Sequence, residues 1–134
     1  MEEAGDGAVS WRVEQGRPLS SEILDLQVTE HGTDARVVTV VGEIDALTAP
    51  ELATLVITQL TIAPVVVVNL DGVRFLSSAG LRALFEAHEF ALREDRDLRL
   101  MCHSQTANWA FEAAGLRLYF TFTDDVPRSA SPRP

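Results

Sequence analysis

Hydrophobic and polar residues alternate in the first part of the chain and then give way to a continuous apolar run. Residues 24–28 (LDLQV) have the two-residue period of a strand with one buried face. Residues 37–41 predict a second strand, and the turn-forming residues 31–34 (HGTD) between them predict an antiparallel hairpin. Residues 65–70 (VVVVNL) are almost wholly apolar, which predicts a central strand that is covered on both faces and ends at Asp71.

Two segments carry apolar residues every three to four positions, the period of a helix with one buried face. The first predicted helix starts at residues 48–51 (TAPE), a capping box with proline in the first turn. The second starts at Ser77 or Ser78. The apolar stripe of the first helix is Leu52, Leu55, Val56 and Leu60, and that of the second is Leu81, Leu84, Phe85, His88 and Leu92.

The last part of the chain predicts a short strand, a helix and another short strand. The strands are residues 98–101 and 119–122, and the helix runs from Ser104 as N-cap to Gly115 as its C-terminal stop. Strands that alternate with helices in this way predict an α/β fold with a mixed sheet.

Both ends of the chain lack a sustained period. Residues 1–19 are rich in Gly, Glu and Ser and are predicted to be a flexible tail. Residues 126–134 (VPRSASPRP) are rich in Pro, Ser and Arg and are predicted to be disordered. One folded domain, residues 20–125, lies between them.

Composition narrows the classes of function. The net charge of −9 and the pI of about 4.6 argue against nucleic acid as a partner. All 11 basic residues are arginine, so there is no lysine for a Walker A loop or a Schiff base. The single cysteine, Cys102, rules out an internal disulfide and predicts a reduced, cytoplasmic protein.

Two segments could be mistaken for targeting or membrane sequences. The acidic start of the chain, residues 1–7, does not have the basic and apolar parts of a signal peptide. Residues 52–70 carry no charge over a transmembrane length, but Pro64 and several polar residues interrupt them. Their helical period also changes to a β-branched run, so a helix followed by a buried strand is predicted and no membrane partner is expected.

The chain offers no set of side chains with catalytic or metal-ligand spacing. The histidines are His31, His88 and His103. No two of them are spaced as metal ligands, and Cys102 and His103, as neighbours on a strand, should point to opposite faces. The pair Glu43 and Asp45 is better explained as a solvated loop with a local cap than as an acid–base pair. No catalytic residue, metal site or cofactor is therefore predicted.

The segment 65–84 (VVVVNLDGVRFLSSAGLRAL) is the most informative one. A buried strand leads through a short loop to serines that open a helix, and functional groups of α/β sheets gather at such strand ends. Serine there is a good N-cap, which needs no further explanation. A phosphoryl group on Ser78 would add about −1.5 to −2 charges, and a protein docked over this residue would have to desolvate them.

Two motifs resemble the STAS domain family, and within it the anti-sigma factor antagonists of bacteria. The first is VVTVVGEIDALTAPEL, residues 37–52, and the second is VVNLDGVRFLSSAGLRAL, residues 67–84. The segment AAGLRLYF, residues 113–120, also fits, so the resemblance covers about residues 20–125. It implies a mixed sheet of four to five strands packed with three to four helices.

The resemblance implies a small binding protein that is not an enzyme and holds no cofactor. Unmodified, it would bind an anti-sigma factor that is also a serine kinase, and so free a sigma factor for transcription. Phosphorylation by that kinase would release the anti-sigma factor, and a metal-dependent serine phosphatase would reverse the modification. ATP and Mg²⁺ would belong to the kinase.

Alignment on Gly80 transfers the site of this family to specific residues. The phosphorylated serine falls on Ser78, with Ser77 as second choice, and Ser77 stands where the family usually has aspartate. The implied partner-binding residues are Asp45, Asp71, Ser77, Ser78, Ala79 and Gly80. The small residues Ala79 and Gly80 would let a partner approach closely.

Three alternatives remain open at the level of sequence. The chain could be a STAS module in a transporter-associated or sensory complex without a phosphorylation switch, because a fold does not determine a function. It could bind a small molecule or nucleotide near Asp45 and Asp71. An enzyme is the weakest alternative, since no nucleophile–base pair is visible.

Overall fold

A computed structural model of the chain describes residues 9–12, of which only the backbone is considered, and residues 24–125. The strands are β1 Val9–Arg12, β2 Leu24–His31, β3 Ala35–Ile44, β4 Val65–Leu76, β5 Asp97–Met101 and β6 Thr121–Phe122. The helices are α1 Ala49–Ile62, α2 Ser78–Arg93 and α3 Gln105–Ala113.

The strands form one mixed sheet in the order in which they occur along the chain. β1, β2 and β3 are antiparallel neighbours, which confirms the predicted hairpin, and β3, β4, β5 and β6 are parallel neighbours. The predicted α/β fold with a mixed sheet is therefore confirmed. In the described part of the chain the sheet has six strands, because β1, within the predicted N-terminal tail, pairs with β2. The predicted C-terminal tail lies outside the described residues.

The three helices share one hydrophobic core with one face of the sheet. Leu52 of α1, Leu84 of α2 and Phe111 of α3 are fully buried in the same cluster as Val66 and Val68 of β4. The opposite face of the central strands buries a smaller cluster, which consists of Val37, Val67 and Met101. β4 is thus covered on both faces, as its continuous apolar run predicts.

The end of β4 differs from the prediction. β4 does not stop at Asp71 but continues to Leu76, because β3 runs beside it to Ile44. Two register shifts accommodate the extra length, and Gly72 lies against Val41 between them. The Asp-Gly dipeptide, a turn signal in sequence, is here held extended by the ladder with the neighbouring strand.

The start of α1 also differs. Thr48 is the N-cap, but its side chain makes no cap hydrogen bond, so the predicted capping box does not form. The Thr48 hydroxyl turns back to Asp45 instead, and the Asp45 carboxylate accepts the Thr48 N–H at 3.0 Å. The aspartate therefore stabilises the turn before the helix, the local cap that the sequence favoured for Asp45.

The buried faces of α2 and α3 are partly as predicted. Leu81, Leu84 and His88 are buried, whereas Phe85 and Leu92 are 39 % and 59 % exposed and small alanines pack beneath the helix in their place. Ser104 caps α3 through its hydroxyl, and Gly115, with φ of 73°, follows its end, as predicted. The last strand is shorter than predicted. Among the described residues, no helix has the length and apolar character needed to cross a membrane.

Candidate functional site

The start of α2 is fixed by the end of the neighbouring strand. β3 ends at Ile44, whose carbonyl oxygen accepts the backbone N–H of Ser77 at 2.9 Å. Ser77 keeps an extended backbone, and its hydroxyl oxygen accepts the N–H of Gly80 at 3.2 Å. Ser77 is therefore the N-cap, and the helix begins at Ser78.

The two serines of this loop differ in their surroundings. Ser77 is half-buried, and its oxygen is occupied by the cap hydrogen bond. Ser78 is exposed, and its hydroxyl forms no hydrogen bond with any residue in the described part of the chain. A modifying enzyme could reach the Ser78 hydroxyl without disturbing the cap.

Gly80 lies on the inner side of α2 rather than on its surface. A Cβ atom at this position would lie 2.6 Å from Leu76 Cδ1 and 2.7 Å from Ile44 Cγ2, both closer than real contacts allow. Glycine thus lets the first turn of α2 sit directly on the ends of β3 and β4. Its position indicates a packing role. Ala79 is half-buried and lines a shallow depression between α1 and α2.

Ser78 stands at the edge of an open groove of about 370 Å³. The groove lies between the outer face of α2 and the segment after α3. Its lining residues are Ser78, Leu81, Arg82, Phe85, Ala114 and Leu116. Phe85 stacks on Tyr119 at a ring-centroid distance of 5.1 Å, which holds the aromatic wall in place. The groove is mostly apolar and suits a protein side chain more than a charged ligand.

Asp45 lies beside this loop but its carboxylate is engaged locally. It directly follows Ile44, the residue that accepts the Ser77 N–H. Its Oδ1 atom accepts the N–H groups of Leu47 and Thr48, each at 3.0 Å. Asp45 therefore shapes the turn into α1.

Asp71 lies elsewhere on the molecule. β4 runs on for five residues after it, so about 20 Å of extended strand separate Asp71 from Ser77. Its carboxylate accepts the backbone N–H of His103 at 2.7 Å and contacts His103 Nδ1 at 3.0 Å. The structure therefore does not bring Asp71 together with Asp45 or with the serines.

A histidine that bridges two carboxylates is the feature that sequence reasoning missed. His103 Nε2 lies 3.2 Å from Asp124 Oδ1, while Nδ1 faces Asp71. Because both ring nitrogens face carboxylate oxygens, the geometry favours the imidazolium form, in which both nitrogens donate. The hydrogen bonds to Asp71 and then to Asp124 raise the pKa of His103. Nothing local in the sequence could indicate this, because the three residues come from separate segments.

Two further titratable candidates, Cys102 and His88, are buried. Cys102 and His103 follow the end of β5 and are not strand neighbours. Cys102 is buried and His103 exposed, and burial raises the pKa of the Cys102 thiol. His88 lies against Tyr119 and Phe120, and burial lowers its pKa. Among the described residues, no group of three or more His, Cys, Asp or Glu side chains is arranged to hold a metal ion.

Comparison with known proteins agrees with this architecture. The sequence model of the STAS domain matches residues 25–128. No curated protein matches the chain in sequence. Several solved structures share the fold, and two of them illustrate the likeness.

The first is an anti-sigma factor antagonist from Mycobacterium paratuberculosis, with a TM-score of 0.65 and 24 % identity over 92 % of each chain. The second is the anti-sigma factor antagonist SpoIIAA in its unphosphorylated form, with a TM-score of 0.63 and 16 % identity. That alignment covers 73 % of this chain and 87 % of SpoIIAA. At these identities the likeness establishes the fold, which is that of anti-sigma factor antagonists. Since the family model spans most of the chain and the mixed sheet with its three helices agrees with it, the protein belongs to the STAS domain family.

Proposed function

We propose that this STAS domain is an anti-sigma factor antagonist whose binding is controlled by phosphorylation of Ser78. In its unmodified state it binds an anti-sigma factor that is also a serine kinase, in the cytoplasm, and thereby frees a sigma factor. Phosphorylation by that kinase releases the anti-sigma factor, and a metal-dependent serine phosphatase restores binding. The chain itself contributes a surface and an acceptor hydroxyl and performs no chemistry.

One observation carries the proposal: the exposed hydroxyl of Ser78 lies at the edge of an apolar groove. Phe85 is 39 % exposed beside it, which leaves apolar surface for a partner to cover. A docked partner would seal this edge from water. A phosphoryl group there would bring about −1.5 to −2 charges into the contact, and burying such a charge without a partner is costly.

Asp45, Ser77, Ala79 and Gly80 support the site in different ways. Asp45 and Ser77 hold the two turns that frame it, and Gly80 lets α2 approach the sheet. Of this group, Ala79 alone lines a neighbouring surface depression. Asp71 lies within β4, about 20 Å from Ser77, so it is proposed to contact the partner only if the partner extends along β4 that far.

The first test is mass spectrometry of the protein from its native host, in growing and in stressed cells. Cleavage after Arg74 and Arg82 yields the peptide FLSSAGLR. We expect a mass increase of about 80 Da, one phosphoryl group, on Ser78 and not on Ser77, in a proportion that changes with growth state. A peptide that stays unmodified in every condition would favour the STAS module without a phosphorylation switch.

The second test measures binding to the anti-sigma factor kinases of the host. Ser78→Asp and Ser78→Asn have nearly the same size and differ by one charge, so their comparison isolates the charge. We expect Ser78→Asp to bind at least about tenfold more weakly than Ser78→Asn, since leaving a charge buried and unpaired costs more than 1.4 kcal/mol. Equal affinities would contradict the switch.

A further inference from the structure

Ser78 and Arg82 are adjacent on the surface of α2. Residues four apart on a helix lie one above the other, with Cβ atoms about 6 Å apart. Both line the same groove, so both side chains face the same stretch of solvent. The Arg82 side chain is long enough for its guanidinium to reach a group attached to the Ser78 oxygen.

Arg82 has no ionic partner within the described part of the chain. The ion pairs of that part involve other basic residues, namely Arg36, Arg99 and His103. Glu86 lies one turn after Arg82, but the two side chains form no ion pair. This agrees with the general finding that an acid N-terminal to a base is the better order at this spacing. Among the described residues, the Arg82 cation is therefore unpaired in the unmodified protein.

A phosphoryl group on Ser78 would stand in the favourable order relative to Arg82. It is the acidic group, it precedes the base by four residues, and it carries more charge than a carboxylate. Two of its terminal oxygens can also accept the two parallel N–H groups of a guanidinium. Glu86 competes less well for the Arg82 guanidinium, because it follows the arginine and carries less charge than a phosphate.

We propose that Arg82 binds the phosphate of phosphorylated Ser78 within the same molecule. This inference rests on the proposed function, because it concerns the modified state of the same residue. The phosphate is then held against α2 at the edge of the groove instead of moving freely in solvent. The modification thus places a fixed anion on the docking surface and withdraws the Arg82 cation from it at the same time.

The experiment uses the full chain with phosphoserine introduced at position 78 during translation, so it requires no kinase. The second pKa of the phosphate, ordinarily about 6, is measured by ³¹P NMR as a function of pH. Arg82 stabilises the dianion, so we expect Arg82→Gln to raise this pKa by at least about 0.3 units. Arg82→Lys, which keeps the charge but loses the paired donors, should give a smaller increase.

Arg93→Gln is the matched control. Arg93 is exposed on the same helix and the substitution removes the same charge, but it lies about 22 Å along the helix axis from Ser78. We expect Arg93→Gln to leave the phosphate pKa within about 0.1 units of that of the unsubstituted chain. Equal values for Arg82→Gln and Arg93→Gln would overturn the inference.

A failure of the ion pair can be told apart from a failure of the proposed function. The phosphoserine chain is also tested for binding to the anti-sigma factor kinase. Unchanged binding with a raised phosphate pKa in Arg82→Gln would refute the switch and keep the ion pair. Weakened binding with no pKa difference would keep the switch and refute the ion pair.

Discussion

At the scale of single residues, Ser77 and Ser78 show how one position along the chain changes the role of a hydroxyl. Ser77 accepts the Gly80 N–H, whereas Ser78 forms no hydrogen bond with a described residue. Ser77 therefore stabilises the helix start, whereas the hydroxyl of its neighbour Ser78 is accessible. The proposed modification is on Ser78.

Alanine substitutions should separate the two serines in stability. Ser77→Ala removes the cap acceptor and should lower the free energy of unfolding by about 1 kcal/mol. Ser78→Ala removes an exposed hydroxyl and should change it by less than about 0.5 kcal/mol. Urea denaturation of the two variants beside the unsubstituted chain measures both. If Ser78→Ala cost as much as Ser77→Ala, the assignment of the cap would be wrong.

Substitution of Gly80 should disturb the packing of the first turn of α2 on the sheet. Gly80→Ala adds a Cβ within 3 Å of Leu76 and Ile44. Overpacking costs about 1–3 kcal/mol, which exceeds the roughly 1 kcal/mol that alanine gains over glycine in a helix. We expect a net loss of stability in thermal unfolding. In a Leu76→Ala background the loss should be smaller, because one of the two clashing side chains is gone.

An equal loss in both backgrounds would mean that the clash with Leu76 does not carry the effect. A gain in stability on Gly80→Ala alone would show that the helix moves away from the sheet at little cost. The gain in stability would contradict the close contact between α2 and the ends of β3 and β4, whereas the equal loss would leave Ile44 as the residue that opposes the added Cβ.

At the scale of elements, His103 links the segment after β6 to β4 in the middle of the sheet. It follows β5, Asp71 belongs to β4, and Asp124 follows β6. β6 has only two residues and pairs with β5 alone, so it has few ladder hydrogen bonds of its own. The bridge therefore helps to hold this short edge strand in place.

The bridge predicts a pH dependence. The pKa of His103 is raised in the folded state, so its contribution to stability is fully present below the ordinary pKa of 6.5. It is lost as the pH rises through the raised value. His103→Gln should therefore lower the melting temperature more at about pH 5.5 than at about pH 8.5. Differential scanning fluorimetry of both proteins measures this difference.

Two comparisons isolate the contribution of His103 to the pH dependence. His88 has a lowered pKa and acts in the opposite direction, so only the difference between His103→Gln and the unsubstituted chain isolates His103. His31→Gln serves as the matched control, because His31 forms no ion pair with a described residue. A His103→Gln effect that is the same at both pH values would mean that the contacts do not depend on the imidazolium.

At the scale of the whole molecule, the parallel part of the sheet decides which segments meet. The three helices pack on one face through a single core, so the start of α2 and the segment after α3 come to border one groove. The acidic chain, with a net charge of −9, favours fast encounter with a basic partner surface. Arg82 at the groove is a local exception to that charge.

Local pattern was sufficient for most of the elements of the fold. Periodicity predicted the strands of the hairpin, the buried central strand and the first two helices, because side-chain burial repeats with the period of each element. The third helix was predicted from its N-cap and its C-terminal glycine. The serine cap at Ser104 could be predicted as well, since a cap depends on residues within one turn. For α2 the pattern left Ser77 and Ser78 open, and the structure identifies Ser77 as the cap. The resemblance to the STAS family supplied the expectation for Ser78.

What local pattern could not decide depends on contacts between distant segments. The extension of β4 beyond Asp71 is imposed by β3, and β1 forms because β2 offers an edge to pair with. The His103 bridge and the groove beside Ser78 each join residues from separate parts of the chain. The sequence by itself determined most of the elements, because these follow from neighbours along the chain, and its resemblance to the STAS family singled out Ser78 as the residue proposed for modification. Only the tertiary structure decided which side chains surround that residue, because packing brings them together across the fold.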